Sequence, residues 1–325
     1  MIYMFIPYTN SAVRLTGRWN TAKTQAITTA PGAMIEIAFS GKYIVLEFDT
    51  NDCANPLLHL WVILDNKNKI ETVVDKYIRI EAGNEGDHLL TVIFKGAVET
   101  FGRWQTPLSG GLFFVGAEAQ NSAILPEDTR PIIQFIGDSI TEGVLIDADL
   151  TPLDVPVHNR VYQDDSTATY AYLTAVKLGM KPVIMGYGAV GVTKGGNGGV
   201  PKALEAYPFN FEGSPILPID AKITVINHGA NDFNAPEEEY VKCYAELLDV
   251  VRKLNPNTKI VALSAFCGAH NKALENLIEN YNKEKNEAVL FIDSSDWLPP
   301  TEPLHPSRDG HKAVSEKLYE ILKNL

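Results

Sequence analysis

Residues 132–143 read Ile-Ile-Gln-Phe-Ile-Gly-Asp-Ser-Ile-Thr-Glu-Gly, and this stretch decides the fold of the second half of the chain. Its apolar start predicts a buried strand that stops at Gly137-Asp138-Ser139, and the residues after it can open a helix. Open α/β sheets bind their ligands at the carboxyl ends of the strands. Ser139 is therefore a candidate nucleophile; the alternative is a serine that only caps the next helix.

Downstream of this strand, short apolar runs alternate with amphipathic helical patterns. The runs cover residues 183–185, 223–227, 259–263 and 289–292. Continuous apolar runs of this length are typical of buried parallel strands. The clearest helical pattern begins at Asn234 and stops at Asn255-Pro256, and a closing helix covers 309–325. The alternation predicts an α/β fold with a parallel, doubly wound sheet.

The first 125 residues have a different character, with β-prone runs and no helical period. Alternating residues at 34–39 and 44–49 flank Ser40-Gly41-Lys42, a pattern that predicts a hairpin. Several short strands at such intervals predict a β-sandwich or jelly roll. A polar, proline-bracketed segment then precedes the strand at 132. We therefore predict an all-β domain over residues 1–127 and an α/β domain over residues 128–325.

Composition narrows the class of partner. A formal net charge of −12 argues against nucleic acid and against an anionic membrane surface, because both attract basic patches. The apolar start, Met1 to Pro7, is too short for a signal sequence, and no stretch reaches the ~18 apolar residues of a membrane span. We expect a cytoplasmic protein, or a secreted one if a leader was removed. The oligomeric state is left open.

Three further motifs lie where strands are predicted to end or just before the last helix. Glycines in Gly186-Tyr187-Gly188-Ala189-Val190-Gly191 allow a backbone amide to approach a ligand closely. In the stretch 227–232, the Asn231 side chain can donate a hydrogen bond to an oxyanion. His305 lies between prolines, three residues after the carboxylate of Glu302, which suits a general base.

These motifs, taken in order, resemble the GDSL/SGNH hydrolase superfamily over residues 131–325. The matching residues are Gly137-Asp138-Ser139, Gly191, Gly229-Ala230-Asn231-Asp232 and His305.

The resemblance implies a flavodoxin-like three-layer α/β/α domain with Ser139 as nucleophile and His305 as base. It also implies an oxyanion hole made of the amides of Ser139 and Gly191 and the side chain of Asn231. Gly188 is an alternative to Gly191, and Asp138 is a further candidate site residue. No metal or cofactor is implied.

The chain departs from the superfamily's pattern at the third member of the triad. The superfamily usually has an aspartate three residues before the histidine, and this chain has Glu302 there. Either Glu302 orients His305, or Asp296 or a backbone carbonyl does so, or the enzyme works with a Ser139–His305 pair alone. We favour Glu302, because its longer carboxylate still reaches Nδ1 if the loop sits slightly further back.

A β-sandwich ahead of such a domain resembles the two-domain carbohydrate esterases of family 2, which remove acetyl groups from sugars. The predicted function is a serine esterase that hydrolyses small O-acyl esters, above all O-acetyl esters, on a small-molecule or oligosaccharide substrate. One alternative is a lipase, thioesterase or arylesterase using the same site. The other is a non-catalytic carbohydrate-binding protein with a degenerate triad.

Four features stand outside these motifs. Gly-Arg-Trp occurs twice, at 17–19 and 102–104, and suggests either a sugar-stacking surface or an Arg over a Trp at strand ends, the latter favoured. The insertion at 147–167 carries five aspartates and is interpreted as a solvated loop. His228 is predicted to be packed, and His311 to be solvated.

Overall fold

The computed structural model describes residues 3–21, 24–148 and 160–325, and it contains two β-sheets. The first is antiparallel and has nine strands. These are β1 (Met4–Pro7), β2 (Val13–Thr16), β3 (Ala26–Thr28), β4 (Met34–Phe48), β5 (His59–Leu64), β6 (Lys69–Val73), β7 (Tyr77–Glu81), β8 (Asp87–Gly96) and β9 (Leu112–Ser122).

β4 pairs with four other strands of this sheet, and it shows that the predicted hairpin is wrong. Residues 34–48 form one strand of 15 residues, and its register shifts between Ser40 and Ile44. The first half of the strand pairs with β2 and β8, and the second half pairs with β7 and β9. Gly41 has a φ of +128°, so it forms a bulge inside the strand rather than a turn between two strands. Local alternation cannot distinguish these two outcomes, because the distant partner strands decide between them.

The second sheet is parallel and has five strands. These are β10 (Ile132–Gly137), β11 (Lys181–Gly186), β12 (Ala221–Asn227), β13 (Lys259–Leu263) and β14 (Leu290–Ile292). The helices are α1 (Ser139–Glu142), α2 (Tyr170–Lys177), α3 (Ala203–Ala206), α4 (Glu237–Leu254), α5 (Asn271–Lys285) and α6 (Arg308–Leu322). Short 3₁₀ turns cover Arg160–Tyr162, Ser166–Ala168, Asn197–Gly199 and Ala230–Asp232.

The strand order β11-β10-β12-β13-β14 is the flavodoxin-like order, with the nucleophile strand β10 beside the point where the winding reverses. Side chains of a strand alternate between its two faces. Ile133 and Phe135 accordingly pack into the core that contains Val314 of α6, while Ile136 packs with Leu247 of α4. The three-layer α/β/α architecture preceded by an all-β domain is therefore confirmed, as are the two long helices α4 and α6.

The two Gly-Arg-Trp tripeptides lie at the junction of the two domains, and both of their arginines are buried. Arg18 is 0% exposed and Arg103 is 1% exposed. Nη2 of Arg18 donates to the backbone oxygens of Tyr207 at 2.7 Å and Phe209 at 2.6 Å. The favoured interpretation, an arginine reaching over its tryptophan toward solvent, is therefore wrong, because the second domain covers both arginines.

The aspartate-rich insertion also differs from its prediction. Asp147, Asp164 and Asp165 are buried, whereas Asp149 and Asp154 lie outside the described residues. Asp165 accepts hydrogen bonds from Trp61 Nε1 of β5 at 3.0 Å and from Arg308 Nη2 at 2.9 Å. This part of the insertion is a packed link between the domains.

Within the described ranges, no helix combines the length and the hydrophobicity needed to cross a bilayer.

Candidate active site

The nucleophile candidate stands at the carboxyl end of β10, as first residue of α1. The side chain of Asp138 caps this helix by accepting a hydrogen bond from the Ile140 amide at 2.9 Å. The helix ends after four residues at Gly143, whose φ is +94°. A Cβ at Gly137 would overlap Thr141 Oγ1, so only glycine lets the chain turn this tightly from strand to helix.

The second domain's last loop brings His305 to this serine. His305 Nε2 lies 2.9 Å from Ser139 Oγ, a distance at which the hydroxyl can donate to a neutral imidazole. Burial is the main cause that lowers the pKa of His305. The charge of Glu99 opposes this shift, and the charge of Arg160 adds to it. A neutral imidazole in contact with a hydroxyl has the geometry of a general base.

Glu302 is placed elsewhere. Its Oε1 accepts a hydrogen bond from the Ser307 amide at 2.5 Å, at the N-terminus of α6. Among the described contacts, none joins Glu302 to His305, and His305 Nδ1 has neither a carboxylate nor a backbone carbonyl as hydrogen-bond partner. Asp296 is exposed and makes no such contact either. The favoured role of Glu302, orienting His305, therefore has no contact to support it. The Glu302 carboxylate instead accepts a hydrogen bond from an amide at the start of α6.

Asn231, the candidate side chain of the oxyanion hole, is close to the turn that carries Ser139. Asn231 Nδ2 donates to Asp138 Oδ2 at 3.2 Å and to the Val190 backbone oxygen at 3.1 Å. Asp138 is fully buried, and burial raises its pKa to about 7, with the charge of Asp232 as a smaller cause. Asn231 therefore lies beside the residue that precedes Ser139, within reach of the region where an oxyanion would form.

The two candidate glycines differ in what their amides already bind. The amide of Gly191 donates to the backbone oxygen of Lys194 at 3.0 Å. The carboxylate of Asp232 lies against Gly191, accepts from the Val192 and Thr193 amides, and leaves no room for a side chain there. The Gly188 amide has no partner among the described backbone hydrogen bonds. Gly188 is thus the glycine whose amide makes no described hydrogen bond, and it is buried with the carboxylate of Glu99 against it.

A cavity of about 240 Å³ lies next to the candidate site residues. Its lining includes their sequence neighbours Ile140, Ala230 and Leu304, further apolar side chains, and the polar side chains of Ser295 and Glu302. The β domain contributes Glu99, which forms an ion pair of 3.1 Å with Arg160.

Sequence reasoning missed Glu99 and Arg160, whose charges act on His305, because neither residue lies in a motif. The repeated Gly-Arg-Trp, which begins three residues after Glu99, was the one sequence signal in this region. His228 is buried as predicted, but His311 is not solvated: it is 1% exposed, and its Nδ1 accepts from the Tyr170 amide at 3.0 Å.

In the part of the chain that the structure describes, no group of three or more His, Cys, Asp or Glu side chains is arranged to hold a metal ion.

Comparison with known proteins identifies the class. The sequence model of the GDSL-like lipase/acylhydrolase family matches residues 135–313, which is more than half of the chain. The chain therefore belongs to this family, and the predicted class, a carboxylic ester hydrolase, is confirmed. No curated protein sequence matches the chain.

Solved structures show the same two-domain fold over almost the whole chain. A family two carbohydrate esterase from Cellvibrio japonicus has a TM-score of 0.81 at 19% identity, covering 99% of this chain and 98% of its own. A family two carbohydrate esterase from Clostridium thermocellum, in complex with cellohexaose, has a TM-score of 0.77 at 20% identity, covering 96% and 98%. An acetyl xylan esterase from the rumen bacterium Butyrivibrio proteoclasticus has a TM-score of 0.78 at 16% identity, covering 100% and 98%. The resemblance to the family 2 architecture is thereby confirmed at the level of the fold.

Proposed function

We propose that this chain is a serine esterase that removes small O-acyl groups, above all O-acetyl groups, from carbohydrates. The observation that carries the proposal is the 2.9 Å contact between Ser139 Oγ and His305 Nε2 at the carboxyl end of β10. His305 takes the hydroxyl proton as Oγ attacks the ester carbonyl, and then gives it to the departing sugar hydroxyl. Water then attacks the acyl-enzyme. His305 takes a proton from this water and gives it to Ser139 Oγ, which leaves as the acid is released.

Three donors are proposed to stabilise the tetrahedral oxyanion. They are the amide of Ser139, which as the first helical amide has no partner within α1, the amide of Gly188 or Gly191, and Asn231 Nδ2. Of the glycines, the free amide of Gly188 supports it as the donor better than Gly191. Binding the oxyanion requires Asn231 to exchange one of its present acceptors, Asp138 or the Val190 oxygen, for the substrate.

We further propose that catalysis uses the Ser139–His305 pair without a carboxylate bonded to Nδ1. The contacts of Glu302 with the helix terminus and the exposure of Asp296 support this alternative over the other two.

A carbohydrate as the alcohol part is supported by the shared fold with esterases whose described substrates or ligands are xylan and cellohexaose. The cavity beside Ile140 favours a second candidate, an esterase for longer acyl chains, because about 240 Å³ exceeds the volume of an acetyl group. The chemistry is the same in both cases.

Covalent labelling with a fluorophosphonate, together with hydrolysis of p-nitrophenyl acetate, butyrate and octanoate and of an acetylated oligosaccharide, tests this function. We expect labelling of the wild type, none of Ser139→Ala, and normal labelling of Ser295→Ala, which changes a serine in the adjoining cavity. Acetate preferred over octanoate supports the O-acetyl assignment, and the reverse supports the second candidate. A wild type that is neither labelled nor faster than Ser139→Ala on any ester refutes the esterase and favours a non-catalytic binding protein.

A further inference from the structure

The second Gly-Arg-Trp carries an arginine from the β domain to the helix that begins with the nucleophile. Arg103 Nη1 lies 2.5 Å from Glu142 Oε1, and the two side chains are 1% and 2% exposed. Arg103 Nη2 donates to the backbone oxygen of Ala97 at 2.9 Å. The guanidinium therefore bridges the loop between β8 and β9 and the last residue of α1.

The backbone on each side of this bridge, at Arg103 and at Glu142, is packed closely against a glycine. The amide of Arg103 donates to the oxygen of Gly198 at 2.9 Å, and a Cβ at Gly198 would overlap the oxygen of Phe101. A Cβ at Gly186 would overlap the backbone of Glu142, so this glycine lets α1 lie directly on the end of β11. The bridge is thus built into the backbone on both sides.

The helix needs such a bridge because it consists of a single turn. Isolated helices this short do not form, since nucleation is unfavourable and only tertiary contacts can hold the turn. Residues three apart lie on one face of a helix, so Glu142 is on the face of Ser139. A fixed Glu142 side chain therefore sets the rotation of the turn and with it the direction of Oγ.

Stability alone does not explain the pair. Burying two charges is unfavourable, and their attraction offsets the loss of hydration only when the remaining polar atoms are also hydrogen-bonded. Arg103 Nε and Glu142 Oε2 are buried without hydrogen-bond partners among the described residues. Burial raises the pKa of Glu142 to about 7 even though the charge of Arg103 opposes the shift.

We infer that Arg103 is a positioning residue for the nucleophile Ser139, so that the β domain completes the catalytic centre rather than serving as a separate binding module. The inference rests on the proposed serine esterase function.

Arg18 provides a matched control for the test. It occupies the same position in the first Gly-Arg-Trp, is equally buried, and also crosses to the second domain, but it binds the backbone oxygens of Tyr207 and Phe209 rather than α1. Loss of either arginine removes a buried cation at the domain junction, while only loss of Arg103 releases the nucleophile helix.

The experiment compares the full-length wild type with Arg103→Lys, Arg103→Ala, Arg18→Lys and Arg18→Ala. For each, the melting temperature, the kcat and KM for p-nitrophenyl acetate and the rate of fluorophosphonate labelling are measured well below unfolding. Displacing a reacting atom by about 1 Å costs about 10² in rate. We expect kcat and the labelling rate of both Arg103 variants to fall about 10²-fold with KM within about threefold, and those of the Arg18 variants to change less than about threefold. Lysine is included because it cannot reproduce the two-point contact of a guanidinium.

Two variants at Glu142 keep the test decisive if Arg103→Ala does not fold. Glu142→Gln retains an oxygen that can accept from Arg103 Nη1. Its kcat should therefore be at least about tenfold higher than that of Glu142→Ala. Equal activity in Arg103→Lys and the wild type overturns the inference, as do losses in the Arg103 and Arg18 variants that simply follow their melting temperatures. A wild type that is itself neither labelled nor active refutes the proposed function instead, so the two failures are distinguishable.

Discussion

Glu302→Ala tests whether a carboxylate orients His305, the proposed general base. In the structure the carboxylate binds the Ser307 amide at 2.5 Å and makes no hydrogen bond with His305. Loss of one such helix-end hydrogen bond costs about 1 kcal/mol. For a domain of 150–250 residues this corresponds to a fall in the melting temperature of about 2–4 °C. Since His305 is untouched, kcat should fall less than about tenfold, whereas a damaged triad carboxylate lowers kcat by about 10⁴-fold.

The assay is the kcat for p-nitrophenyl acetate at a temperature well below unfolding, measured beside thermal denaturation. Glu302→Gln keeps an oxygen acceptor for the Ser307 amide and should restore most of the lost stability. Asp296→Ala, at an exposed carboxylate, should change neither quantity. A loss of kcat beyond about 10³-fold in both Glu302 variants, at nearly unchanged melting temperature, would refute the pair mechanism and return Glu302 to the triad.

Three other predictions concern the oxyanion hole, the base and a buried histidine. Asn231→Ala should lower kcat by about 10²–10³ with little change in KM, and an unchanged kcat would remove Asn231 from the oxyanion hole. Because burial lowers the pKa of His305 and a general base must be neutral, kcat/KM should rise with pH to a plateau with a midpoint below 6.5; a midpoint above 7 contradicts this. The pKa of His311 is lowered to about 3 by burial, so its share of stability is complete above pH 6.5 and is lost as pH falls toward 3. Between pH 7 and pH 5 the wild type should therefore lose about 2 kcal/mol more unfolding free energy than His311→Asn, measured by urea denaturation; parallel curves would show that His311 is not held neutral.

The motifs at strand ends were predictable because they depend on short-range rules. A buried strand followed by Gly137-Asp138-Ser139 needs only hydrophobicity, a tight turn and a helix cap, and the structure has all three at these residues. The position of Asn231 beside Asp138 follows from parallel strands, whose carboxyl ends meet at one sheet edge. The contact of His305 with Ser139 spans 166 residues of chain, and the order of the motifs in the family was the signal for it.

The predictions that differ from the structure concern groups whose partners are distant in sequence. The alternation around Gly41 is the same for a hairpin and for a bulged strand, and the pairing of β4 with four other strands selected the bulge. The favoured role of Glu302 rested on its spacing from His305, but the nearest unsatisfied donor was an amide at the start of α6.

The class of each domain and the candidate residues Ser139, Asn231 and His305 could be predicted from the sequence, because hydrophobic periodicity, turn chemistry and the order of the motifs are all properties of the chain itself. Tertiary structure was needed to show which candidate glycine amide has a hydrogen-bond partner, which donors the carboxylates bind, and that Arg103 and Glu99 of the β domain lie against Glu142 and Gly188. These depend on burial and on competition among hydrogen-bonding groups, and both arise only when the two domains pack together.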